Sequence, residues 1–292
     1  MKTAPTTLVV YGKGGVGKST VCAHLAMSFA RQGRKVLLLG CDPKADTSLR
    51  LLGGRRPSTI VDMVTGLKGR RFRDLVMRSR DGLDVLETGG PQPGQGCGGR
   101  SVATLCQYLE EHSRELGGYD VLIFDVLGDL VCGGFVAPLR FGLGRDVYIV
   151  SSEEKASLFA ANNIARVASE PYLEGVSLGG IIFNLRDNDA NKAVLESFAG
   201  RLGIRIAAIL PRDPLILDAE ELGVTVFEHA PSSPASKRFL ALTDCISKRR
   251  GAVPGARVRA MTGDEFAAFV REHRSSKTAG ISKTRRQNGR AT

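Results

Sequence analysis

Two kinds of residue in this chain have types and spacing that do chemistry. The first is "GKGGVGKS" (12–19), which fits G-x-x-x-x-G-K-[ST] and stands between a short apolar run and a helical pattern. Glycines at Gly12, Gly14, Gly15 and Gly17, with Val16 among them, let successive backbone N–H groups face a phosphate chain at a helix N-terminus. Lys18 then reaches the β- and γ-phosphates and Ser19 ligates Mg²⁺, so a nucleoside triphosphate is the expected ligand. The second is a pair of cysteines. "GQGCGGR" (94–100) and "LVCGGF" (130–135) set Cys97 and Cys132 among glycines, where bare backbone N–H groups can wrap around something held by sulfur.

Acidic residues extend both features. Asp125 ends the apolar run "VLIFD", where a carboxylate approaches Mg²⁺ through water, and Asp129 follows four residues later. "GCDPKADTS" (40–48) lies just past another apolar run, at the carboxyl edge where open α/β sheets take ligands. Asp42, Lys44 and Asp46 there read as a switch that senses the γ-phosphate. Cys132 comes seven residues after Asp125, so a change at the nucleotide can pull on that thiol. Two cysteines do not fill a four-thiolate site in one chain, but a two-fold dimer brings four, which suits a [4Fe–4S] cluster on the symmetry axis. Zinc also accepts four thiolates, and a redox-inert structural site is the competing reading; glycine-rich flanks beside a nucleotide switch favour iron–sulfur.

These residues need a scaffold with many loops on one edge. Apolar runs at 7–12, 35–40, 83–87, 119–126, 146–152, 178–184 and 205–211 read as strands, and helical patterns at 18–33, 101–116, 153–169 and 191–203 alternate with them. That alternation predicts an α/β fold: a single doubly wound, mostly parallel sheet of P-loop topology, covered on both faces. A closing helix is expected at 236–247. "GAVPG" (251–255) breaks the pattern, so residues 1–250 are expected to form the ATPase domain and 251–292 an extension, with a short helix at 261–273 and a frayed basic tail.

At 292 residues and 42% hydrophobic composition the chain can bury a proper core. No apolar run approaches the roughly 18 residues of a membrane span, and a soluble, cytoplasmic protein is expected. The six cysteines contain no C-x-x-C pair, which argues against a secreted disulfide framework; Cys22, Cys106 and Cys245 read as core or neutral residues. From Lys248 to Arg290 there are 12 Lys and Arg against 3 Asp and Glu, so this end carries +9 of the chain's +11. A solvated tail is expected, with nucleic acid or an acidic partner as the other readings.

"YGKGGVGKST", "GCDPKADTS", "GGPQPGQGCGGR", "FDVLGDLVCGGF" and "AANNI" together resemble the nitrogenase iron proteins and the reductase components related to them, over about residues 7–247. The resemblance implies an ATP-driven electron donor: a homodimer with one bridging [4Fe–4S] cluster held by Cys97 and Cys132 of each chain. It implies docking on a larger catalytic reductase component and an upstream ferredoxin or flavodoxin. By the same resemblance Lys13 reaches across to the partner's nucleotide, while Lys18, Ser19 and Thr20 hold phosphate and Mg²⁺. Asp42, Lys44 and Asp46 form the first switch; Asp125 and Asp129 act in the second, with Asp129 orienting the attacking water. Asn184 and the run Pro211, Arg212, Asp213 match purine-contacting positions, and Arg100 and Arg140 match the docking surface. Two other classes compete: a partition-type ATPase that binds DNA through the basic tail, and an iron–sulfur assembly carrier. The first has no use for the two cysteines, and the missing C-x-x-C pair speaks against the second.

Overall fold

A computed structural model describes residues 5–61, 72–79, 81–91, 96–128, 133–248 and 252–273. Asp129, Cys132 and the basic tail beyond 273 lie outside the described residues. The chain runs through β1 (Thr6–Tyr11), α1 (Lys18–Arg31), β2 (Val36–Gly40), α2 (Phe72–Leu75), β3 (Met77–Arg78) and β4 (Asp84–Glu87). It continues with α3 (Gly98–Glu111), α4 (Ser113–Leu116), β5 (Val121–Asp125), a 3-10 turn at Gly133–Val136, α5 (Ala137–Arg140) and β6 (Asp146–Ser151). Then come α6 (Lys155–Ala168), β7 (Ser177–Asn184), α7 (Lys192–Leu202), β8 (Ile206–Leu210), α8 (Pro214–Glu221) and α9 (Val226–His229). The described part closes with α10 (Pro234–Ser247), β9 (Val253–Pro254), a second 3-10 turn and α11 (Gly263–Glu272).

The strands form one sheet in the order β3-β4-β2-β5-β1-β6-β7-β8. It is parallel throughout except where β3 runs against β4 and where β9 pairs with Ser177 and Leu178 of β7. β1 is central, between β5 and β6, so the loop at its carboxyl end faces the loops that follow both neighbours. Alternation along β1 divides the core into two layers. Val9 and Tyr11 pack with Leu105 of α3, Ile164 of α6, Phe198 of α7 and Phe269 of α11. Leu8 and Val10 pack on the other face with Leu25 and Phe29 of α1 and Phe239 of α10. Helices on both faces are what strands apolar on both sides require.

Three local outcomes depart from the periodicity. The helix predicted over 101–116 begins at Gly98 and breaks at His112. The His112 ring Nδ1 donates to the Tyr108 carbonyl at 2.8 Å, taking the acceptor that a continuing helix would give to the His112 backbone N–H; that N–H turns instead to Leu109. Helix α8 was not anticipated, although Asp213 caps it, accepting from Leu215 N–H, and Pro214 occupies its first turn. The helix of the C-terminal extension joins the main core, with Met261, Phe266 and Phe269 all buried. Asn162, in "AANNI", fastens it: its amide accepts from Met261 N–H and donates to Met261 C=O, both at 2.8 Å.

Candidate functional site

The loop between β1 and α1 is built by exclusion of side chains. A Cβ on Gly12 would lie 2.3 Å from the Val150 carbonyl oxygen, and one on Gly17 would lie 2.4 Å from Asn184 Nδ2. Gly15 and Gly17 also hold φ at 77° and 87°, in the left-handed region that glycine tolerates best. Asn184, at the end of β7, donates from Nδ2 to the Val16 carbonyl at 2.9 Å and so pins the loop from the far strand. Arg186 reaches the Gly15 carbonyl from the same side.

Lys18 opens α1, a helix with ten buried residues, and is itself only 8% exposed. Its ammonium pairs with Asp125 Oδ1 at the end of β5, and Thr47 Oγ1 donates to Asp125 Oδ2 at 2.8 Å. Burial alone would lower the Lys18 pKa, but the facing Asp125 carboxylate turns the net shift upward, so the lysine stays charged. One carboxylate thus ties the phosphate loop to the Asp42–Ser48 loop. In that loop Asp42 Oδ1 accepts from Lys44 N–H at 2.8 Å, and burial raises the Asp42 pKa. Ala45 is held at φ 52°, a conformation that costs a non-glycine residue about 1–3 kcal/mol and marks the loop as strained.

A cavity of about 1470 Å³ opens over these groups. Lys13, Lys18, Ser19, Thr20, Asp42, Lys44 and Asp46 line it, together with Asn184, Pro211, Arg212 and Asp213. Asn188 sets the last run by exchanging two hydrogen bonds with the Arg212 backbone, at 2.7 and 2.9 Å. The sequence therefore names the groups around this cavity. It does not name Thr47, Arg186 or Arg50, whose guanidinium bridges Thr20 Oγ1 and Glu220. Thr47 stands inside a motif already singled out, whereas Arg50 and Arg186 carry no local signal.

Gly96 and Gly98, on either side of Cys97, line the same cavity. Cys97 is exposed at the N-terminus of α3, and beside it lies a second cavity of about 590 Å³ bounded by Gly99, Arg100, Gly133, Gly134 and Arg140. Gly134 is pressed on the Cys97 turn: a Cβ there would meet the Gly99 carbonyl oxygen at 2.2 Å. An exposed thiol at a helix N-terminus, flanked by bare peptide N–H groups and two arginines, suits an anionic metal–sulfide group. Cys22, Cys41 and Cys106 are fully buried, and burial pushes their thiols up, that of Cys106 to about 12. Among the described residues no three His, Cys, Asp or Glu side chains of one chain gather as a metal site.

The model of the "4Fe-4S iron sulfur cluster binding proteins, NifH/frxC family" matches residues 6–274. The chain belongs to this family. It is 37% identical over 264 residues to "Nitrogenase iron protein 2" of Methanothermococcus thermolithotrophicus, covering 85% of this chain and 90% of that protein. In fold it resembles the septum site-determining protein MinD of Pyrococcus horikoshii with Mg-ADP, at a TM-score of 0.67 and 22% identity over 85% of this chain and 98% of the other. A ParA family ATPase from Chlorobium tepidum aligns at a TM-score of 0.64 with 19% identity, over 82% and 98%. NifH/frxC membership makes a [4Fe–4S] cluster and MgATP the cofactors of this chain. No helix among the described residues is long and apolar enough to cross a membrane.

Proposed function

We propose that the chain is the ATP-dependent electron donor of a two-component reductase, working in the cytoplasm as a homodimer and passing electrons to a larger catalytic component. The observation that carries this reading is the shared wall: the glycines that flank Cys97 line the same cavity as Lys18, whose ammonium pairs with Asp125. Cys97 and Cys132 of each chain would hold the bridging cluster, which supplies low-potential one-electron chemistry when bound.

The residues around the nucleotide do the mechanical part. Lys18 pairs its ammonium with the Asp125 carboxylate. Lys18 would turn its ammonium to the β,γ-phosphate of a bound nucleotide, and the Asp125 carboxylate so released would face the Mg²⁺ that Ser19 would hold. Thr47, bonded to Asp125, and the turn after β5, where Gly128 lies against the Gly12 carbonyl, must then readjust. Lys13 would complete the partner's site, Asp42, Lys44 and Asp46 would sense the γ-phosphate, and Asp129 would orient the attacking water. Asn184 and the run Pro211 to Asp213 would border the purine. Arg100 and Arg140, exposed beside Cys97, would meet an acidic face of the catalytic component, and a ferredoxin or flavodoxin would recharge the donor.

Anaerobic purification tests the reading. The expected protein is a brown dimer with about four irons per two chains, whose visible spectrum changes with MgATP. Cys97→Ala and Cys132→Ala should each lose the iron, and Lys18→Ala should keep it while losing ATP turnover. A colourless, iron-free monomer, or a cluster indifferent to MgATP, would overturn it.

A further inference from the structure

Between the Asp42–Ser48 loop and Cys97 runs a chain of close contacts that bypasses Asp125. Its first junction is at Glu87, the last residue of β4, which is 1% exposed. Glu87 Oε1 accepts from Ser48 N–H at 2.8 Å. The carboxyl lies on Gly40 of β2, where a Cβ would come within 1.9 Å of Oε2. Three residues on, Gly90 is packed against Pro43: a Cβ on Gly90 would fall 2.4 Å from Pro43 Cβ and 2.8 Å from its Cα. The ring of Pro91 in turn covers Gly96, leaving 2.9 Å between Pro91 Cγ and the place of a Gly96 Cβ. Gly96 adjoins Cys97.

Glu87 is also held in an unusual state. Burial first of all raises its carboxyl from an ordinary value near 4.5 to about 8, and the Ser48 contacts only partly offset that. That shift favours the protonated form at neutral pH, and Oε1 is the oxygen that accepts from Ser48 N–H. Beside it Thr88 Oγ1 is buried with no hydrogen-bond partner among the described residues. A carboxyl is expensive to bury, so the retention of Glu87 at this junction calls for a role.

We propose that Glu87 is a positioning residue that fastens the Asp42–Ser48 loop to β4, and that Pro43, Gly90, Pro91 and Gly96 carry displacements of that loop to Cys97. This second route rests on the functional reading above, in which that loop senses the nucleotide and Cys97 holds the cluster. It works because packed backbone against bare glycine cannot compress: if Pro43 moves, Gly90 and Pro91 move with it. Proof of coupling requires a measurement of coupling, because adjacency alone does not supply it.

The test uses the full, cluster-loaded homodimer and measures how fast a ferrous chelator withdraws iron with and without MgATP, with MgATP binding followed in parallel. In the wild type MgATP is expected to change the withdrawal rate. Glu87→Ala and Gly90→Ala should keep the nucleotide-free rate and MgATP binding but shrink the MgATP effect by about five- to tenfold, a typical coupling between sites. Gly90 has no positive φ, so its alanine variant acts through the close Pro43 contact rather than through backbone strain. Glu87→Gln, which keeps a neutral side chain with one acceptor and a donor, should restore the wild-type response. A purely structural role would shift both rates together. If Glu87→Ala or Gly90→Ala responds to MgATP as the wild type does, the route is wrong while the functional reading stands. If the wild type itself shows no MgATP effect, the functional reading falls and takes this route with it.

Discussion

Replacing Asp125 by asparagine should destabilise the nucleotide-free protein far more than the loss of one oxygen charge would on the surface. Lys18 is 8% exposed and Asp125 1%, so the ammonium would be left buried opposite a neutral amide. Breaking a buried pair from one side costs about 3–5 kcal/mol, because the surviving charge has neither solvent nor counter-charge. Thr47 Oγ1 can still donate to the amide oxygen, so its hydrogen bond does not add to the cost. For a chain of this size that loss corresponds to a melting point lower by about 5–8 °C. Urea unfolding and calorimetry of anaerobic, nucleotide-free protein measure it. The double variant Lys18→Met, Asp125→Leu removes both charges and should recover most of the loss, since an apolar pair of similar volume is close to neutral. A single variant that costs under about 1 kcal/mol, or a double variant equal to the sum of the singles, would refute the claim that these two charges compensate each other.

Three further outcomes are expected. Asn162→Ala strips Met261 of both partners that the amide supplies, so it should cost about 1–3 kcal/mol and expose the segment before α11 to protease, as limited digestion would show. His24 is fully buried with its Nδ1–H donating to the Thr20 carbonyl and its Nε2 accepting from Val226 N–H, and burial lowers its pKa from 6.5 to about 4. Above pH 6.5 both folded and unfolded chains leave it neutral; as pH falls towards 4 only the unfolded chain takes the proton, so stability declines, and His24→Gln should flatten that decline in urea midpoints taken across the range. Gly134→Ala drives a Cβ to 2.2 Å from the Gly99 carbonyl and should lower iron content more than it weakens ATP binding, read by iron assay and nucleotide titration.

The phosphate loop, the central parallel sheet and the exposed cysteine were legible because each rests on local covalent facts. Glycine at a fixed spacing between a strand and a helix is required wherever backbone N–H groups must converge, and a run such as "VLIFD" is apolar on both faces whatever surrounds it. The glycines around Cys97 were legible too, and the thiol among them is exposed. What joins these parts was not legible. Asn184 meets Val16 across 168 residues, Thr47 meets Asp125 across 78 and Ser48 meets Glu87 across 39. In sequence Asn184 looks like a base contact and Glu87 like one more strand-end acid. Only the stacking of β4 against β2 and of β7 beside β6 brings them to the loops they hold, because partner choice for a polar side chain depends on which strands are neighbours. Sequence thus determined the chemistry available at one edge of the sheet, and the tertiary fold decided which residues transmit force between its pieces.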